Sequence, residues 1–191
     1  MKRNILIGLL VLTLAAFLAA GGTTAWFSAK AGPVTNYLTA GTVDIEVIED
    51  YTPVTGWQPG ETKDKEVSVE AIGSKRVYVR VALTPVWGYV DDNDVFHPEP
   101  SLPIDNVTLN LNSQDWVYQD GWYYYTKILS KNQKTSTLLN SVTLAEDTDP
   151  RYQGKALQIL VNAEAVQASH EAYKDVWGLE NLPSGVEPWT G

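Results

Sequence analysis

Apolar positions along this chain follow two different patterns. From Ile5 to Ala20 they are almost continuous, behind Lys2 and Arg3 and within a stretch, 4–29, that carries no charge. Downstream they alternate with polar residues at every second position, the period of a strand with one buried face. Val43, Ile45 and Val47 alternate with Asp44, Glu46 and Ile48, and 65–71 forms a second alternating run. Between them Tyr51-Thr52-Pro53 and Gly56-Trp57-Gln58-Pro59-Gly60 predict a loop, because proline fixes φ and glycine supplies the positive φ of a tight turn. The clearest strand is 75–84, with Val77, Val79, Val81 and Leu83 on one face and Tyr78, Arg80 and Ala82 on the other.

Segment 87–103 carries Asp91-Asp92-Asn93-Asp94 and His97-Pro98-Glu99-Pro100, and so many breakers predict an exposed loop. A strand is expected over 106–111. A hairpin over 116–125 turns at Asp120-Gly121, and 126–129 extends its second arm. Segment 141–145 is a short strand and 155–168 a long one, with Leu157, Ile159, Val161, Ala163 and Ala165 on one face. Near the end Ser169 is placed to cap a short helix through Trp177, with Gly178 as its left-handed stop and Tyr173, Val176 and Trp177 as an apolar face lying on one end of the sheets.

The continuous apolar run has a different meaning. A basic end, a short apolar helix and the small residues of Gly21-Gly22-Thr23-Thr24-Ala25-Trp26-Phe27 stand in the order of an export signal. The cleavage region is Thr23, Thr24, Ala25, Trp26 and Phe27. A permanent span needs about 20 apolar residues, and the glycine pair and two threonines weaken the last turns of such a helix. The membrane is therefore expected to be touched only transiently, during export, with a signal peptidase as partner.

Removing the signal leaves about 165 residues, enough for one domain with a good core. There is no cysteine, which excludes disulfides, thiolate metal sites and a cysteine nucleophile. Without Lys2 and Arg3 the chain carries 12 basic against 23 acidic residues, a net charge of −11, so nucleic acid is not an expected partner. Seven Trp and ten Tyr, punctuated by ten Pro and fourteen Gly, match the composition of sandwiches and barrels. The expected class is all-β.

No residue pattern carries enzymatic chemistry, and no catalytic, cofactor or metal residue is assigned. His170-Glu171-Ala172-Tyr173 lacks the second histidine that a helical zinc protease needs one turn later, and His97 reads as a loop residue. Asp91, Asn93 and Asp94 offer oxygen ligands, but the glycine and glutamate of a calcium loop are missing, so a solvated acidic turn is the expectation. No Gly-x-Ser-x-Gly elbow or phosphate loop occurs. Asn106-Val107-Thr108 matches a glycosylation acceptor. Leu182-Pro183-Ser184-Gly185 lacks the threonine and hydrophobic tail of a wall-sorting signal.

The order of several segments carries a family likeness. Gly21-Gly22-Thr23-Thr24-Ala25-Trp26-Phe27 is followed by Leu38-Thr39-Ala40-Gly41-Thr42-Val43-Asp44-Ile45, then by Trp57-Gln58-Pro59-Gly60, Lys65-Glu66-Val67, Gly73-Ser74 and Tyr78-Val79-Arg80-Val81. Trp122-Tyr123-Tyr124-Tyr125-Thr126-Lys127 and Ala163-Glu164-Ala165-Val166-Gln167-Ala168 continue it. In this the chain resembles the SipW-dependent exported biofilm matrix proteins of Gram-positive bacteria, the TasA/camelysin-like family. The resemblance implies a jelly-roll-like antiparallel β-sandwich with a short C-terminal helix, preceded by the signal helix. It implies a secreted subunit of extracellular fibres or biofilm matrix, a homo-polymer in which the N-terminal segment of one copy adds a strand to the next.

The expected organisation is a signal peptide over 1–25, an extended N-terminal segment over 26–41 and a sandwich over 42–191. The candidate donor strand is Phe27, Ala29, Ala31, Val34, Tyr37 and Leu38, with Gly32-Pro33 dividing it into two short pairing stretches. Two alternatives remain open. One is a camelysin-like metalloprotease; the other is a monomeric surface-binding module using the aromatic loops at Trp87-Gly88-Tyr89 or Trp57.

Overall fold

Alternating valines build the centre of the fold. In the computed structural model, which describes residues 28–31, 42–49 and 54–191, Val77, Val79 and Val81 stand on the inner face of a 14-residue strand, β4 (Val77–Val90), and are buried. The long strand near the C-terminus, β10 (Ala156–Gln167), lies antiparallel to β4 along its whole length and turns Leu157, Ile159, Val161, Ala163 and Ala165 to the same core. Both faces match the alternation read from the sequence.

The remaining strands are β1 (Ser28–Ala31), β2 (Ile45–Glu49), β3 (Thr62–Ala71), β5 (Phe96–Pro98), β6 (Val107–Leu111), β7 (Trp116–Gln119), β8 (Trp122–Tyr125) and β9 (Leu139–Leu144). They form two antiparallel sheets, one ordered β1-β10-β4-β8-β7 with β5 on the far end of β4, the other β2-β3-β9-β6. The sheets stack face to face. Val67 and Val69 of β3 and Leu139, Val142 and Leu144 of β9 meet the inner faces of β4 and β10, so the chain is an all-β antiparallel sandwich as expected.

Turn chemistry accounts for the tight joins. Asp120 (φ 50°) and Gly121 (φ 86°) both adopt positive φ between β7 and β8, the requirement of a two-residue hairpin whose twist suits its strands. Gly73 has a different reason to lack a side chain: a Cβ there would run into the Thr42 carbonyl and approach the Asp44 amide within 2.6 Å. That close approach lets Gly73 and Ser74 donate to Asp44 and Thr42 and tie the entry of β2 to the turn after β3.

Segment 87–103 departs from expectation. β4 continues through Trp87 to Val90 and pairs with β5, so His97 belongs to a strand, and loop remains at the acidic turn between them and at 99–103. Trp87 is fully buried and donates from Nε1 to Asn106. Pro85 does not stop the strand, because it falls where β4 lacks a neighbour on the side away from β10, between the β8 and β5 ladders. Segment 126–129 does not prolong β8; only Leu129 pairs, with Val77.

The C-terminal helix α1 (Ala172–Trp177) is shorter than expected, and Ser169 does not cap it. A 3-10 turn over Ser169–Glu171 precedes it, and the capping position is Glu171 in left-handed conformation. Gly178 does close it, donating to the Tyr173 carbonyl. α1 lies on the outer face of the β10-β4 sheet rather than at one end of the sandwich. There Tyr173 and Trp177 pack against Tyr78, Tyr124 and Val166, and the tail through Leu182, Val186 and Trp189 completes a second small core. Burial holds the Tyr78 hydroxyl above its ordinary pKa of 10.

Candidate functional site: the outer edge of β10

Among the described residues, three of the four sheet edges are closed or blunted by their own sequence. β7 is only four residues long; β2 places Glu46 and Glu49 along its edge; β6 bears Thr108 and Asn110. Short strands and polar residues are the usual protections of an exposed edge. β10 is different: twelve residues, rich in alanine and valine, with one long side against β4 and the other covered in part.

What covers it is the segment expected to donate a strand. β1 pairs antiparallel with β10 in the same chain, Ser28 opposite Val166, Ala29 opposite Ala165, Lys30 opposite Glu164 and Ala31 opposite Ala163. Both β1 and β10 approach β2. Further along, Val54 bridges to Leu157. Between these contacts, Gln158 to Asn162 have no strand partner on that side among the described residues. Phe27, Val34, Tyr37 and Leu38, the cleavage residues Thr23, Thr24, Ala25 and Trp26, and the signal helix lie outside the described residues.

Next to this edge stands a buried ion pair. Arg80 of β4 and Glu164 of β10 face one another across the ladder, 9% and 4% exposed. The guanidinium donates from Nε (3.1 Å) and Nη2 (2.7 Å) to Glu164 Oε2, and from Nη1 to the Tyr124 hydroxyl at 3.3 Å. The Trp122 and Trp177 rings stand 4.1 and 4.7 Å from its centre. Aromatic faces and a charged partner together offset the desolvation of a buried cation. Sequence reading placed Arg80 on the outer face of its strand but not in this cluster. The legible signal was one arginine and one glutamate as the sole charged residues of the two longest strands, β4 and β10.

The two histidines do not meet a metal-ligand set. His97 Nε2 lies 2.9 Å from Asp91 Oδ2, and its ring stacks on Tyr89 at 4.9 Å. His170 is an exposed residue of the 3-10 turn. Among the described residues no three His, Cys, Asp or Glu side chains converge on a point where an ion could sit. Asp91 is occupied as a structural acceptor: the His97 contact first, then the amides of Val95 and Asn93, hold its carboxyl at a pKa of about 2 against an ordinary 3.8. A depressed carboxylate supports the hairpin above the ordinary pKa and loses that support as pH falls through the folded value. The β4-β5 turn is therefore expected to stay closed at pH 4 and to open between about pH 4 and 2, read by NMR shifts of Asn93 and Val95 amides. Asp91→Asn should abolish that acid transition.

The aromatic loops are mixed. Trp87 is core, Tyr89 is 44% exposed against His97, and Trp57 is half-buried with Lys63 4.9 Å over its ring. Trp57 and Tyr152 border a cleft of about 320 Å³ rimmed by Gln58, Thr148, Asp149 and Gln153. Among the described residues no helix is long and apolar enough to cross a membrane.

The camelysin metallo-endopeptidase family model matches residues 1–93, a span that runs from the apolar N-terminal run through β4. The resemblance to camelysin is thereby borne out over this N-terminal part, a little less than half of the chain. Neither a curated protein nor a solved structure matches the chain.

Proposed function

We propose that this camelysin-like chain is a secreted structural protein, a subunit of extracellular fibres or matrix that joins its neighbours by N-terminal strand addition. The carrying observation is the edge of β10: a long apolar strand whose free side is covered by four residues of the very segment that follows the signal, and is otherwise without a strand partner among the described residues. An edge covered by a short, separable strand is the setting in which an identical strand from another copy makes the same bonds, the logic of strand exchange. The family match supports export of the chain to the surface or beyond, after cleavage near Ala25. The test is direct: purified mature protein, free of the signal, should sediment as filaments visible by negative stain. Protein that stays monomeric at every concentration would count against assembly.

The family's name favours a second reading, a metallo-endopeptidase. The described residues do not fit that metal: His97 is committed to Asp91 and Tyr89, His170 lies on the 3-10 turn before α1, and no third ligand joins either. No catalytic step is derived from them. Casein incubated with the mature protein is expected to remain intact, with or without added zinc; cleavage that a chelator stops and His97→Ala removes would establish the peptidase instead.

A further inference from the structure

We propose that Tyr118 and Tyr123 form a covalent cross-link, a biphenol staple that closes the β7-β8 hairpin when the chain meets a peroxide-driven one-electron oxidant. The proposal stands apart from strand addition, because it concerns the sheet end opposite β1.

The two tyrosines are direct cross-strand partners. With a two-residue turn at Asp120-Gly121, Gln119 and Trp122 form the hydrogen-bonded pair beside the turn. Tyr118 and Tyr123 are then the next pair, of the non-hydrogen-bonded kind in which side chains approach most closely. Their ring centroids lie 4.9 Å apart with the planes at 47°. One rung further in, on the same face, Trp116 and Tyr125 repeat this geometry at 5.1 Å and 52°, both buried in the core. Burial accounts for the inner rung. The outer rung gains little from it, because Tyr118 is 64% exposed, the highest value among the large hydrophobic side chains described. The other tyrosine pair in ring contact among the described residues, Tyr78 with Tyr173, meets edge-on at 6.1 Å inside the second core, closed to an oxidant. Tyr118 and Tyr123 thus differ in access: one phenol is open to solvent, and its half-buried partner is held against the core.

The chemistry balances with one molecule of hydrogen peroxide per staple. The oxidant takes one electron and one proton from each phenol. The two phenoxyl radicals join through ring carbons ortho to oxygen, and each of those carbons passes its hydrogen to its own oxygen, which restores both phenols. One carbon–carbon bond forms, two carbon–hydrogen bonds are lost on balance, and the two electrons and two protons reduce the peroxide to two waters. Burial first and the neighbouring Tyr118 second keep the Tyr123 hydroxyl above its ordinary pKa of 10, so it enters as the neutral phenol. Because the rings already touch, coupling within the hairpin outruns coupling between copies, which must first meet. The chain has no cysteine, so this pair supplies a covalent tie that a disulfide cannot.

The experiment treats the full mature chain with a haem peroxidase and hydrogen peroxide, comparing wild type with Tyr118→Phe, Tyr123→Phe and Tyr89→Phe. Phenylalanine keeps the ring and its packing but cannot form a phenoxyl, so the variants separate coupling from folding. Tyr89, 44% exposed but stacked on His97, is the control. Wild type is expected to gain biphenol fluorescence, to stay at monomer size on a denaturing gel, and to keep its two hairpin arms joined after cleavage of the Gln119–Asp120 bond. Tyr118→Phe and Tyr123→Phe should each cut the fluorescence at least about tenfold, while Tyr89→Phe should leave it within about twofold, because only the touching pair is held ready to couple. Fluorescence that survives in Tyr118→Phe, arms that separate on cleavage, or dimers as the main product would each overturn the proposal, and none of these outcomes bears on whether filaments form.

Discussion

Arg80→Met is expected to lower the unfolding free energy by about 3–5 kcal/mol, the scale on which a buried ion pair is broken from one side. Glu164 is 4% exposed and would keep its carboxylate in a site that water barely reaches, while the Trp122 and Trp177 rings would lose the cation between them. Loss of cation–π contact adds about 0.5–2 kcal/mol to this when the site is desolvated. The partner variant separates the causes. If the lost ion pair dominates, Arg80→Met combined with Glu164→Gln should recover at least half of the loss in a urea titration, because an amide is far less expensive to bury than a carboxylate deprived of its guanidinium. Equal stability of the single and double variants would place the effect in the ring contacts instead. Arg80→Lys should fall between, since an ammonium keeps the charge but loses the planar fork and its stacking.

Deleting 27–38 is expected to abolish sedimentable filaments, reducing pelleted protein more than tenfold, while leaving a folded and soluble domain. The fold should survive because β1 contributes four residues at the rim of one sheet, whereas the core rests on β3, β4, β9 and β10. Assembly should not survive, because the deleted segment holds the backbone donors and acceptors that would pair along the next β10. Near-UV circular dichroism would verify that the buried Trp87, Trp116 and Tyr124 keep their packing. Added peptide spanning 26–38 should bind the deleted protein and cap its edge without restoring filaments, since it links nothing.

The strands of the sandwich and their inner faces were legible from period, and the reason is burial on one face. β4 and β10 each bury alternate aliphatic residues against the opposite sheet, so their alternation is strict and both faces could be assigned residue by residue. The β7-β8 turn was legible because Asp120-Gly121 meets a backbone requirement that few residues satisfy. The β4-β5 hairpin was not. Its breakers sit in one four-residue turn, but His97 and Pro98 sit on a three-residue edge strand, where proline is tolerated and sequence pattern carries little weight. Placement of α1 was also hidden: an apolar stripe states that a helix packs, not on which layer, and the choice follows from Tyr78, Tyr124 and Val166 on the outer face. β1 lies within the segment read as a candidate donor strand. Alternation suggested a strand in this segment, but a single strand cannot reveal which edge receives it.

Because the chain contains no cysteine, one introduced thiol per copy can report which copy's strand lies on which edge. Two single variants, Ser28→Cys and Val166→Cys, place thiols at positions directly opposite in the β1-β10 register with little change in size. Mixed and oxidised under assembly conditions, they should yield a disulfide-linked dimer joining position 28 of one copy to position 166 of the other. If the mixture yields no such dimer, while a chain bearing both thiols closes only on itself, then β1 stays with its own domain and strand addition between copies is contradicted.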